Sequence, residues 1–199
     1  MEQIGTILSM IFVFVCSHFF DKWKQKRDAK NKAENLPALL NKEALIREKI
    51  QNKIIKLQGY TGANRVNLFE YTNGSYTHSG ISLQYSQCTY ECTDDTTVGL
   101  LSTFKNVPIG EFMPILNNLN NSKKGWTIVT SKDENIAIAN IQKKYRTQSS
   151  YCFRLTDVVW DGVVSLDWVH EQKCLSEEML NEIKIIISQI SELQLKLKR

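Results

Sequence analysis

Hydrophobic and polar positions follow a few distinct periods along this chain, and each period predicts an element. From Lys42 to Gln58 the apolar residues Leu45, Ile46, Ile50, Ile54, Ile55 and Leu57 recur mainly at three- and four-residue steps. That spacing lines one face of a helix, and Gly59 closes it. Residues 63–71 (ANRVNLFEY) alternate as a half-buried strand, with Val66 and Leu68 on one side. Asn73-Gly74 is a hairpin signal leading into residues 75–92, where Ile81, Leu83 and Tyr85 share a face. Pro108, Pro114 and an asparagine-rich stretch predict loops and short helices in the middle, one of them around Gly110–Leu119. A strand over 125–130 and a helix over 135–145 follow, the latter carrying Ile136, Ile138 and Ile141. Residues 149–155 and 162–169 read as an antiparallel strand pair joined by a loop at 156–161. Ser176 caps a last helix whose first turn holds Glu177 and Glu178, where carboxylates suit the helix dipole. Met179, Leu180, Ile183, Ile186, Ile187, Ile190, Leu193 and Leu197 run down one side of it. This order predicts an α+β domain, an antiparallel sheet with the terminal helices on one face.

A different pattern occupies the N-terminus. Ile4–Phe20 is uncharged and largely apolar, and a helix of roughly 17 to 25 such residues spans a bilayer. Only Glu2 is charged ahead of it, and bulky Phe19 and Phe20 stand where a signal peptide would be cut, so the run predicts one uncleaved transmembrane helix. Lys22, Lys24, Lys26, Arg27, Lys30 and Lys32 follow against Asp21 and Asp28, a local net charge of +4. The whole chain is also +4, so everything from Ala33 onward is nearly neutral. The six cations therefore predict contact with a lipid bilayer, and the body lacks the basic footprint of a nucleic-acid binder. Positive charge beside a span stays inside, which predicts a single-pass protein of the inner (cytoplasmic) membrane with its body in the cytoplasm. The expected organisation is an anchor at 1–20, a basic juxtamembrane stalk at 21–42 and a domain at 43–199.

Catalytic chemistry is sparse. A body of this size buries a core without disulfide staples, so Cys88, Cys92, Cys152 and Cys174 are expected to be reduced thiols. Cys88 and Cys92 form a single pair without a second; on a strand they would lie about 13 Å apart, so no metal site is predicted. No phosphate loop occurs. Neither a catalytic residue nor a cofactor is assigned. The candidates for binding a small ligand are Tyr71, His78, Tyr85 and Tyr90, although aromatic side chains at strand spacing serve a core equally well. Ile183, Ile186, Ile187 and Ile190 exceed what one sheet face needs, which predicts a homodimer across the last helix.

LQGYTGANRVNLFEYTNG, at 57–74, resembles the end of the first helix and the first strand of a GAF domain. VVWDGVVSLDWVHEQKCLSEEMLNEIKIIISQI, at 158–190, resembles that family's last strand and final helix. The resemblance spans about residues 43–195. It implies a GAF/PAS-like sheet with the terminal helices together on one face and a pocket on the other. It also implies a non-enzymatic sensory or binding role toward a small ligand or a protein partner. The Asn-Lys-x-Phe-Asp signature of cyclic-nucleotide-binding members is absent. Two alternatives stand beside it. The layout of one span plus a compact domain, with residues 149–183, resembles the single-span holins of T4-like bacteriophages, which implies membrane lysis. Cys88 and Cys92 place a resemblance to GAF-like methionine sulfoxide reductases, which implies thiol chemistry.

Overall fold

The computed structural model describes residues 21, 22, 24, 36–76, 82–157 and 161–197, the side chains of 72–76 and 82–84 excepted. The chain divides into two compact units, Met1–Leu45 and Ile46–Arg199. In the first, residues 21, 22, 24 and 36–45 are helical, and Lys22 and Lys24 are exposed. Among the described residues no helix is long and apolar enough to cross a membrane. The expected single-pass, inner-membrane location is corrected on that finding. The run Ile4–Phe20 that suggested it lies outside the described residues, as do Lys26, Arg27, Lys30 and Lys32.

The second unit is built on a six-stranded antiparallel sheet of order β3-β2-β1-β6-β5-β4. Its strands are β1 (Arg65–Tyr76), β2 (Ser82–Thr93), β3 (Val107–Pro108), β4 (Trp126–Thr130), β5 (Ser149–Arg154) and β6 (Val163–Trp168). In this unit residues 46–61 form the helix α1. The others are α2 (Met113–Asn121), α3 (Ile136–Lys144) and α4 (Glu177–Leu197).

α1 runs past the predicted stop at Gly59 and ends at Gly62, whose φ is +66°. The Gly62 N–H closes on the Gln58 carbonyl at 2.9 Å, a left-handed C-terminal turn that glycine enters without a Cβ clash. The Asn73-Gly74 pair is likewise no turn. β1 continues through it, with Asn73 opposite Gln84 and Tyr76 opposite Ser82, and the register shifts between those pairs. Glycine inside a strand marks such an irregularity. A second shift has greater consequences: Leu68 faces Tyr90 while Phe69 faces Cys88, leaving Thr89 as the extra residue of a bulge. The bulge inverts the alternation of β2, so Cys88 and Tyr90 point to opposite layers.

On one face, α1 and α4 cover Val66, Leu68, Tyr90, Tyr151, Phe153, Val164, Leu166 and Trp168. Ile183, Ile186, Ile187 and Ile190 are buried within this same core, at most 3% exposed. The stripe expected to carry a dimer is thus filled by the chain's own sheet and α1. Each such side chain contributes roughly 1.5 to 3 kcal/mol on burial. Ser176 caps α4 as predicted, its Oγ accepting from the Met179 N–H at 3.2 Å. The other face is covered by α2, α3, a 3-10 turn (Ile109–Phe112) and the long β2–β3 loop at 94–106. The terminal helices share one face as expected, and the sheet lies between two layers.

Candidate ligand-binding site

The central strands place polar residues on the α2/α3 face, under cover. β1 and β6 pair so that Arg65 stands opposite Asp167 and Asn67 opposite Ser165. β5 adds Ser150 beside Asp167 and Cys152 beside Ser165. Arg65 is 2% exposed, and its Nε donates to Asp167 Oδ2 at 3.0 Å. The remaining guanidinium donors reach the Val98 carbonyl (3.0 Å), the Tyr145 carbonyl (3.3 Å) and Thr147 Oγ1 (3.0 Å). Asn67 Nδ2 donates to both Ser165 Oγ and Asp167 Oδ2, each at 3.0 Å. A buried ion pair is tolerated only when such further hydrogen bonds satisfy it.

The end of α3 is shaped to meet this pair. Arg146 takes a φ of +53° and turns the chain back, while the Thr147 N–H closes on the Gln142 carbonyl at 2.8 Å. That turn delivers the Tyr145 carbonyl and the Thr147 hydroxyl to Arg65. The β2–β3 loop is fastened from β2, where the Glu91 carboxylate accepts from the Leu100 and Leu101 N–H groups. Gly99 passes so close to Glu91 Oε2 that a Cβ there would sit 2.5 Å from it. The loop in turn presses Phe104, 2% exposed, into an aromatic cluster with Phe69, Phe112 and Tyr145 at centroid distances of 4.7, 5.0 and 5.4 Å.

Between these walls lies a cavity of about 70 Å³. Its apolar side includes Phe69, Tyr71, Phe112, Ile115, Leu116 and Val163, and its polar side includes Arg65, Ser86, Gln142, Ser150, Ser165 and Asp167. Burial pushes the Tyr71 and Tyr145 hydroxyls up. The Cys152 thiol is raised too, by burial first and then by the carboxylate of Asp167. All three therefore stay uncharged. Outside the cavity and sharing Arg65, Leu100 and Tyr145 with it, an open groove of about 860 Å³ runs past Thr96, Thr103, Asn106, Lys144 and His170.

Of the residues expected to touch a ligand, Tyr71 lines the cavity. Tyr90 lies in the opposite layer, its hydroxyl 3.5 Å from an Arg47 nitrogen, because the Thr89 bulge turns it there. Tyr85 is half-buried opposite Thr72 and Pro108, and lines neither cavity nor groove. His78 lies outside the described residues. The polar set of Arg65, Asn67, Ser165 and Asp167 was not anticipated: on the sequence these are the alternate positions of half-buried strands. Their signal is the match of a basic and an acidic residue on strands that the fold covers on both faces.

The thiols do not form a reactive pair. Cys88 lies on the cavity side of the sheet and Cys92 on the α1/α4 side. Both are pushed up by burial and then by the Glu91 carboxylate, away from the thiolate that redox chemistry uses. Among the described residues no group of three or more histidine, cysteine, aspartate and glutamate side chains could hold a metal ion.

No family model matches the chain, and no curated protein matches it. Solved structures do. The phycocyanobilin-bound GAF domain of a cyanobacterial phytochrome is 17% identical, with a TM-score of 0.58 over 83% of this chain and 97% of that one. The blue-light-absorbing PixJ GAF domain of Thermosynechococcus elongatus is 9% identical, with a TM-score of 0.56 over 81% and 89%. A far-red cyanobacteriochrome photoreceptor is 10% identical, with a TM-score of 0.59 over 87% and 99%. At these identities the likeness is one of architecture, and the chain carries the α+β fold of GAF domains.

Proposed function

We propose that this chain is a non-enzymatic binding domain of the GAF fold that holds a small molecule between its sheet and the α2/α3 layer. The observation that supports this reading is the cavity itself, apolar on one side and lined on the other by polar residues almost wholly buried. Small-molecule sites combine an apolar wall with a few placed polar groups in this way. The phycocyanobilin of the cyanobacterial phytochrome domain is a poor match for the residues present. Pockets for drug-sized ligands run roughly 300–1,000 Å³, while this cavity is about 70 Å³ and Phe104 fills the space beside it. The outer groove has the volume, but among the described residues no thiol lines it. The ligand is accordingly small. Occupancy would be reported through the β2–β3 loop, which contributes Leu100 and Phe104 to the wall.

Thermal denaturation of the full chain with a panel of small uncharged molecules tests the reading, alongside a Cys152→Met variant that fills the cavity from β5. The expected result is a saturable rise in Tm for the native chain and none for the variant, with far-UV circular dichroism unchanged. An equal rise in both would place binding elsewhere and end the proposal.

A further inference from the structure

The hydrogen-bonding groups of the cavity wall indicate which small molecules it suits. Ser86, Gln142 and Asp167 are 3%, 5% and 5% exposed and all line the cavity. Gln142 Oε1 accepts from Ser150 Oγ at 3.1 Å, and its Nε2 has no partner among the described residues. Asp167 Oδ2 takes both Arg65 and Asn67, which leaves Oδ1 without a partner among the same residues. Ser86 Oγ likewise has none among them. None of these three atoms is among the sealed, unpaired polar atoms of the described residues, so each borders space that water or a ligand can enter. The wall thus offers an amide donor, a carboxylate acceptor and a hydroxyl that can be either.

The charges on this wall are already balanced. Arg65 and Asp167 are paired with each other at 3.0 Å. An ion entering would lose its hydration without meeting an unpaired counter-charge. Resting on the cavity-binding reading above, we infer that the ligand is an uncharged molecule of a handful of non-hydrogen atoms bearing both an acceptor and an N–H or O–H donor, a primary carboxamide being the simplest case. Its carbonyl oxygen accepts from Gln142 Nε2, its donor reaches Asp167 Oδ1 or Ser86 Oγ, and its apolar end rests on Ile115, Leu116 and Val163.

Three molecules of nearly one shape separate charge from size: acetamide, acetate and acetamidinium. Methyl NMR of the full chain follows Ile115, Leu116, Ile141 and Val163 as each is added, with xenon as a measure of access to the cavity. Acetamide is expected to shift these methyls saturably, with the two ions at least tenfold weaker. Gln142→Met and Ser86→Ala should each weaken acetamide several-fold while xenon still enters. If acetate or acetamidinium binds as well as acetamide, the cavity reading stands and the uncharged class falls. The uncharged class also falls, and the cavity reading again stands, if xenon enters and acetamide does not. If none of the four shifts a cavity methyl, both readings fall.

Discussion

Arg65 and Asp167 carry the largest risk of any residues in the fold, because each keeps the other's charge tolerable under cover. Breaking such a pair strands a buried ion, at a cost of about 3 to 5 kcal/mol, whereas replacing both partners with apolar groups can be nearly neutral. Asp167→Ala should therefore lower stability by about that amount in urea denaturation, and adding Arg65→Met should recover most of it. If the two losses simply add, the pair is not coupled. Asp94 behaves differently because it lies near solvent. Its carboxylate accepts from Asn64 Nδ2 at 2.6 Å and from the Thr96 N–H and hydroxyl at 3.0 and 2.9 Å. Asn64 foremost, then the threonines, hold its pKa down at about 2. A depressed carboxyl stabilises the folded state above its ordinary pKa of 3.8 and loses that contribution as pH falls toward 2. The Thr96 amide resonance should accordingly titrate with a midpoint near 2. A midpoint near 3.8 would mean that these bonds do not form in solution.

Glycines show how far local pattern specifies an element. Gly59 and Gly62 both follow the apolar stripe of α1, and only the second takes positive φ. A Cβ at either position meets nothing within 4 Å, so the difference between them is backbone strain alone. Gly62→Ala should cost about 1 to 2 kcal/mol for a left-handed residue, while Gly59→Ala in the helix should gain roughly 0.5 to 1 kcal/mol. Equal changes in denaturation midpoint would contradict the assignment of the helix end. Periodicity was enough to read the helices and most strands, because the α1 and α4 stripes and the 149–155 and 162–169 runs are set by residues close in sequence. Register was not legible. Thr89 decides whether Tyr90 faces helix or cavity, and the Arg65–Asp167 contact joins residues 102 apart. The two-residue β3 carries no periodic signal at all. The buried polar face was hidden for the same reason: polar positions in an alternating strand read as solvent-facing until a second layer is known to cover them.

At the scale of the molecule, the sheet divides two kinds of interior. The α1/α4 side is an apolar core, and the α2/α3 side holds the ion pair and the cavity. Association through the terminal helices would use residues outside the first interior, and the exposed apolar side chains of α1 and α4 include Ile55, Tyr60, Ile185 and Leu195, at 47%, 43%, 51% and 50%. Ile190→Asp should therefore unfold the domain. Ile185→Asp with Leu195→Asp should leave circular dichroism and Tm nearly unchanged and shift any dimer seen by light scattering toward monomer. A folded Ile190→Asp chain would contradict the packing of α4. The α2/α3 side bears the functional claim, which a crystal structure of the full chain, at a resolution that shows ordered water, tests most directly. Density is expected in the cavity, water or ligand, within hydrogen-bond distance of Ser86 Oγ, Gln142 Nε2 and Asp167 Oδ1. A collapsed space in which those three groups bond to one another or to neighbouring side chains would contradict it.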